Sequence, residues 1–134
     1  MTTLSTVQEF LDHIFSGRME DALALVAPDA RFVSMWPEAN PHNSLHDTFI
    51  GPEGTRRFFG GFIDLLEPGE FNVEAKFTEG EHVAMYGTLH HKSRQTGRDF
   101  RSDWALICRI RGGRLTYYHI YEDTEALRDA LLPA

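Results

Sequence analysis

The order helix, helix, strand, helix, then four antiparallel strands predicts an α+β domain: a cone-shaped, curved antiparallel sheet covered on its concave face by N-terminal helices. Three observations carry this. Apolar residues recur at helical spacing up to Leu66, alternate with polar residues from Phe71 onward, and are linked across the last two alternating runs by Gly112-Gly113. Ten phenylalanines in 134 residues add that flat rings wall the space between the layers, leaving a mostly apolar pocket.

Val7, Phe10, Leu11 and Ile14 define the first helix, and Ser5 followed by Gln8 predicts a capping box ahead of them. Gly17 closes that helix. Met19, Ala22, Leu23 and Val26 continue the period in a short second helix that Pro28 ends, and Arg31 to Met35 reads as a short strand. From Pro37 to Gly51, Asn40, Pro41 and Asn43 predict an irregular loop of lid length. Gly51 and Pro52 open a third helix whose Phe58, Phe59, Phe62, Ile63 and Leu66 form a wide buried face, stopped by Pro68-Gly69.

The remainder is strand. Phe71, Val73, Ala75 and Phe77 alternate with polar residues, and Glu79-Gly80-Glu81 turns into a longer strand from His82 to about Lys92. Strands at about Phe100 to Ile110 and Leu115 to Tyr121 meet in a hairpin across Gly112-Gly113, which supply positive φ. Asp123 or Thr124 caps a short helix ending at Leu132.

The length suits a single domain spanning 1–134. A net charge of −7, with 20 acids against 13 Lys plus Arg, argues against nucleic acid as a partner. Met1 to Leu11 carry no basic segment followed by an apolar core, and no apolar run has membrane length, so the expected location is cytoplasmic with no membrane partner. Cys108, the single cysteine, lies in an apolar alternating run and reads as a small buried residue.

The segments Ser16-Gly17-Arg18-Met19-Glu20-Asp21-Ala22, Ala27-Pro28-Asp29-Ala30-Arg31-Phe32, Phe49-Ile50-Gly51-Pro52-Glu53-Gly54 and Arg109-Ile110-Arg111-Gly112-Gly113-Arg114-Leu115, with Tyr121-Glu122-Asp123, give the chain its family likeness. It resembles the nuclear transport factor 2-like superfamily, particularly the ketosteroid isomerase and SnoaL-type polyketide cyclase branch. These are packing and turn signatures, so the resemblance implies the fold rather than a reaction. The isomerase branch implies a tyrosine, an aspartate base and a protonated aspartate near Phe10, Ser34 and the Trp104 to Leu106 stretch; none of these positions carries the required group. The epoxide hydrolases and cyclases imply an acid at Ile120, which cannot move a proton. An acid or base, if used, lies elsewhere.

Alternation places Thr116, Tyr118 and Ile120 on one face of the last strand, which the resemblance turns toward the pocket, and Leu115, Tyr117, His119 and Tyr121 on the other. The second set forms an aromatic stripe expected to pair with a second copy of the chain. Asp103 beside Trp104 is the first choice for a general acid or base, against the reading of a solvated strand-end carboxylate. Tyr118 is the candidate phenol donor, and His42 or His46 a candidate base over the mouth. Phe10, Ile14, Trp36, Phe58, Phe62, Trp104 and Ile120 are the expected ligand-binding wall. No metal is expected: His42 and His46 lack the helix that would present them together, and adjacent His90 and His91 point to opposite faces of a strand.

The expected function is cofactor-independent acid/base chemistry of the isomerase, cyclase or hydrolase type on a small, largely apolar molecule. The alternatives are a non-catalytic ligand-binding or dimerisation module and a protein-interaction domain.

Overall fold

The computed structural model describes residues 2–41 and 43–132. Helix α1 (Thr3–Phe15) buries Val7, Phe10 and Leu11. Its cap is Thr2 rather than Ser5: the Thr2 hydroxyl accepts from the Ser5 N–H at 3.0 Å, and the Ser5 hydroxyl donates back to the Thr2 carbonyl. Each hydroxyl thus bonds the other residue's backbone, where the sequence predicts a box of Ser5 with Gln8. Gly17, at φ 75°, turns the chain into α2 (Met19–Leu23), which stops short of Pro28.

Strand β1 (Val26–Ser34) begins five residues before the predicted Arg31 and accommodates Pro28 because its pairing is irregular between Val26 and Arg31. The predicted loop holds a short edge strand, β2 (Asp47–Ile50), paired antiparallel with the end of β1. Four residues flanked by Asn and Pro show no period of their own; the ladder to β1 fixes them. Helix α3 (Gly51–Leu65) follows without a break, then β3 (Leu66–Glu79), β4 (His82–Ser93), β5 (Asp99–Arg111) and β6 (Arg114–Glu122). Helix α3 ends three residues before Pro68, which lies inside β3. The last helix, α4 (Thr124–Leu131), is capped by the Asp123 carboxylate accepting from the Ala126 N–H.

The six strands form one open sheet in the order β2-β1-β6-β5-β4-β3. All neighbours are antiparallel except β1 and β6, which run parallel, with Phe32 beside Tyr118 and Ser34 beside Ile120. Helix α3 packs mainly on β1, and α1 reaches across β4 to β6.

Curvature is built into the long β3/β4 pair, whose register slips between Glu67 and Glu70 and again between Val73 and Ala75. Opposite the second slip, a Cβ on Gly87 would lie 1.7 Å from the Asn72 carbonyl oxygen and 3.1 Å from the Trp104 ring. Only glycine lets the strands approach this closely. Gly87→Ala is expected to cost about 2 kcal/mol, seen as a lower urea midpoint; an unchanged midpoint would show that the bend does not depend on this contact.

The layers meet through rings. Phe32 stacks on Tyr118 at 4.7 Å, and Phe10, Phe58 and Phe59 approach Tyr118 at 5.5 to 6.0 Å. These rings fill the β1 side of the interior.

Candidate functional site

Toward the other side the rings do not close the space. A pocket of about 290 Å³ lies between the sheet, the end of α1, α3 and the start of β3. Ile14 and Phe15 come from α1, Phe58, Phe59, Phe62 and Ile63 from α3, and Leu66, Pro68 and Phe71 from β3. Phe15 and Phe71 face each other at 4.9 Å, and Phe71 stacks on Trp104 behind it at 4.3 Å.

Three polar side chains enter this apolar wall: Tyr118, Glu122 and His91. The period of two along β6 that presents Tyr118 and Ile120 to the helices continues to Glu122, the last residue of the strand. Its carboxyl is enclosed, and Oε1 is buried without a hydrogen-bond partner among the described residues. Burial pushes this carboxyl from 4.5 up to about 7. The low-dielectric surroundings disfavour the charged form, so both forms are populated near neutrality.

The Tyr118 hydroxyl makes no hydrogen bond among the described residues. Burial, then the proximity of Cys108 and Glu122, drives its pKa well up, so it remains a phenol that donates. His91 is on the same inner face of β4 as Val83, Met85 and Leu89. Its Nδ1 accepts from the Gly69 N–H at 3.0 Å. Burial is the main influence lowering its pKa, against a smaller opposing effect of the His90 carbonyl.

Of the expected wall, Ile14, Phe58, Phe62 and Ile120 line the pocket. Phe10 and Trp104 do not; both are buried in the packed layer behind it. Trp36 is 57% exposed in the loop after β1 and lies away from the pocket. Asp103 is exposed on the opposite face of the sheet from Tyr118, because Trp104 points inward and adjacent strand residues point apart. It borders an outer hollow with Glu74, Tyr86, Ala105 and Tyr121, which Glu122 also reaches.

His42 lies outside the described residues. His46 is partly buried within the loop rather than on the pocket wall: Asn43 Nδ2 donates to its Nε2 at 3.3 Å, and burial lowers its pKa. Since the Asn43 oxygen accepts from the Leu45 N–H, the amide orientation is fixed and the His46 proton sits on Nδ1, which is buried without a partner among the described residues. The Ser34 hydroxyl is likewise buried without a partner among them.

On the outer face Tyr121 is 46% exposed, and His119 stacks on it at 3.9 Å. His119 is buried and occupied, donating from Nε2 to the Met35 carbonyl and accepting at Nδ1 from the Tyr117 hydroxyl at 2.7 Å. Leu115 leaves the stripe altogether; it is fully buried, and β6 shifts register against β5 beside it. Cys108 is fully buried, and burial raises its thiol pKa well above the ordinary value.

With this site in place, the comparisons with known proteins bear on the whole fold. Residues 7–118 match the SnoaL-like domain family. The chain belongs to the SnoaL-like domain family. Two NTF2-like proteins share its architecture. That of Burkholderia xenovorans is 23% identical with a TM-score of 0.84, covering 97% of this chain and 95% of its own. That of Burkholderia thailandensis is 19% identical with a TM-score of 0.86, covering 99% of each. TerC, co-crystallised with polyporic acid, is 20% identical with a TM-score of 0.79, covering 96% of this chain and 97% of its own. No curated protein matches the chain. At these identities the likeness carries the SnoaL-like fold, and the chemistry has to be argued from the residues.

Proposed function

We propose that this SnoaL-like protein is a cofactor-independent acid/base enzyme acting on a small, largely apolar molecule, with Glu122 as the group that moves the proton. The observation that carries this reading is a carboxyl whose Oε1 is buried without a hydrogen-bond partner among the described residues, raised to about 7, on the wall of a largely apolar pocket. A carboxylate excluded from water is costly unless something compensates it, and a substrate proton supplies that compensation.

In the simplest step the Glu122 carboxylate takes a proton from a carbon next to a carbonyl. The C–H electron pair shifts into the new C=C bond, the carbonyl π electrons move onto oxygen, and Tyr118 donates a hydrogen bond to that oxygen. Return of the proton to a different atom isomerises the molecule; attack of the enolate carbon on a second carbonyl of the same molecule cyclises it, and Glu122 then returns its proton to the alkoxide oxygen so formed. The related fold of TerC, co-crystallised with polyporic acid, supports an organic ligand for the pocket. The acid stands two residues beyond Ile120, the position implied by the resemblance to the cyclases and epoxide hydrolases, and on the same face of the strand.

The test is exchange of α-hydrogens for deuterium in a panel of cyclic ketones in D₂O, followed by proton NMR, alongside native mass spectrometry of protein purified from its source. Acceleration by the protein supports proton transfer. A retained organic ligand with no acceleration of any ketone would instead identify a non-catalytic binding module.

A further inference from the structure

The first register slip of β3 falls between Glu67 and Glu70, so Pro68 and Gly69 stand outside the ladder. Proline has no N–H to leave unpaired. Gly69 passes so close to β4 that a Cβ on it would lie 2.2 Å from the His90 carbonyl oxygen. Its N–H, released from strand pairing, donates to His91 Nδ1 at 3.0 Å. A backbone N–H can only donate, so Nδ1 is held as an acceptor and the neutral ring carries its hydrogen on Nε2. The bulge therefore selects one tautomer of a histidine that lines the pocket.

We infer that His91 is a fixed hydrogen-bond donor to the ligand through Nε2, and that this residue makes the pocket prefer a ligand with an acceptor oxygen over an equally large one without it. The Tyr118 phenol is a second donor on the same wall, and the remaining contacts come from rings and aliphatic groups. A neutral donor held by the backbone suits an oxygen on which charge develops, because it is already oriented before the charge appears. Ligands whose polar group is only a cation gain nothing from either donor. The inference rests on the proposed function for which pocket receives the ligand, but its test reads binding, so it fails independently of the chemistry assigned to Glu122.

The experiment compares 2-naphthol with naphthalene by calorimetric titration against the wild-type chain and His91→Phe. The two probes fill similar apolar volume and differ in one oxygen. Wild type is expected to bind 2-naphthol about 10-fold more tightly than naphthalene, and His91→Phe to remove most of that preference while leaving naphthalene affinity nearly unchanged. An absent preference in wild type, binding of neither probe, or equal weakening of both in the variant would overturn the inference. If His91→Phe does not fold, long-range proton–nitrogen NMR of wild type decides. A proton on Nε2 whose nitrogen shift responds to 2-naphthol supports the donor, and a proton on Nδ1 or an unresponsive Nε2 refutes it.

Discussion

Glu122→Gln is expected to slow deuterium exchange into a responsive ketone by 10²- to 10⁴-fold, the range that removal of a positioned general base typically costs. Glutamine keeps the volume and the planar end of the side chain, so the pocket retains its shape while losing the group that titrates. The pH profile gives a sharper reading. With the carboxylate as the base, wild-type exchange rises with pH through the enclosed carboxyl's value of about 7 and then levels off, while the residual rate of the variant shows no step there. A wild-type profile that is flat between pH 5 and 9 would remove Glu122 from the mechanism, whatever the size of the rate loss.

The same carboxyl makes stability depend on pH in a direction opposite to that of a salt-bridged acid. Its folded value of about 7 lies above the ordinary 4.5, so between these values the folded chain holds a proton that the unfolded chain has released. Stability from this group is fully present below about pH 4.5 and lost as pH rises to about 7. The gap, at ~1.4 kcal/mol per pH unit, amounts to ~3 kcal/mol. Partly buried histidines such as His46 and His91, whose values are lowered, act in the opposite direction in both proteins, so the reading is the difference between them. From pH 5 to pH 8 in urea unfolding, wild type should lose stability relative to Glu122→Gln, leaving the variant the more stable of the two at pH 8. Equal slopes for the two proteins would mean that the carboxyl is solvated in the native state.

The layers and the long strands were legible because their signals are local. Val7, Phe10, Leu11 and Ile14 repeat at helical spacing, and β5 alternates from Phe100 to Ile110 with its inner positions buried. Strand β2 was not legible because its partner, not its own pattern, makes it a strand. The placement of Glu122 and of Asp103 relative to the pocket was not legible, for two reasons. Counting the last strand to Tyr121 cut off Glu122, although the parity that presents Tyr118 and Ile120 extends one step further and marks it as inward-facing. The proximity of Asp103 to Trp104 along the sequence suggests shared burial, whereas neighbours on a strand point to opposite faces.

The opposite orientation of His90 and His91 did follow from strand alternation. Outward, His90 meets the Asp99 carboxylate; inward, His91 meets the pocket. What alternation could not supply was the bulge that frees the Gly69 N–H, since a register slip in one strand is set by the close approach of its neighbour.

The parallel seam between β1 and β6 also dictates when this protein can acquire its structure during synthesis. Phe32 must wait for Tyr118 and Ser34 for Ile120, so a nascent polypeptide carries its earliest strand without that neighbour until nearly the whole domain has left the ribosome. Pairings so distant along the chain place folding in the slower, millisecond-to-second regime and leave the early ring-rich segments exposed to wrong contacts meanwhile. A truncation before β6 would thus strand β1 beside an empty lane in the middle of the sheet.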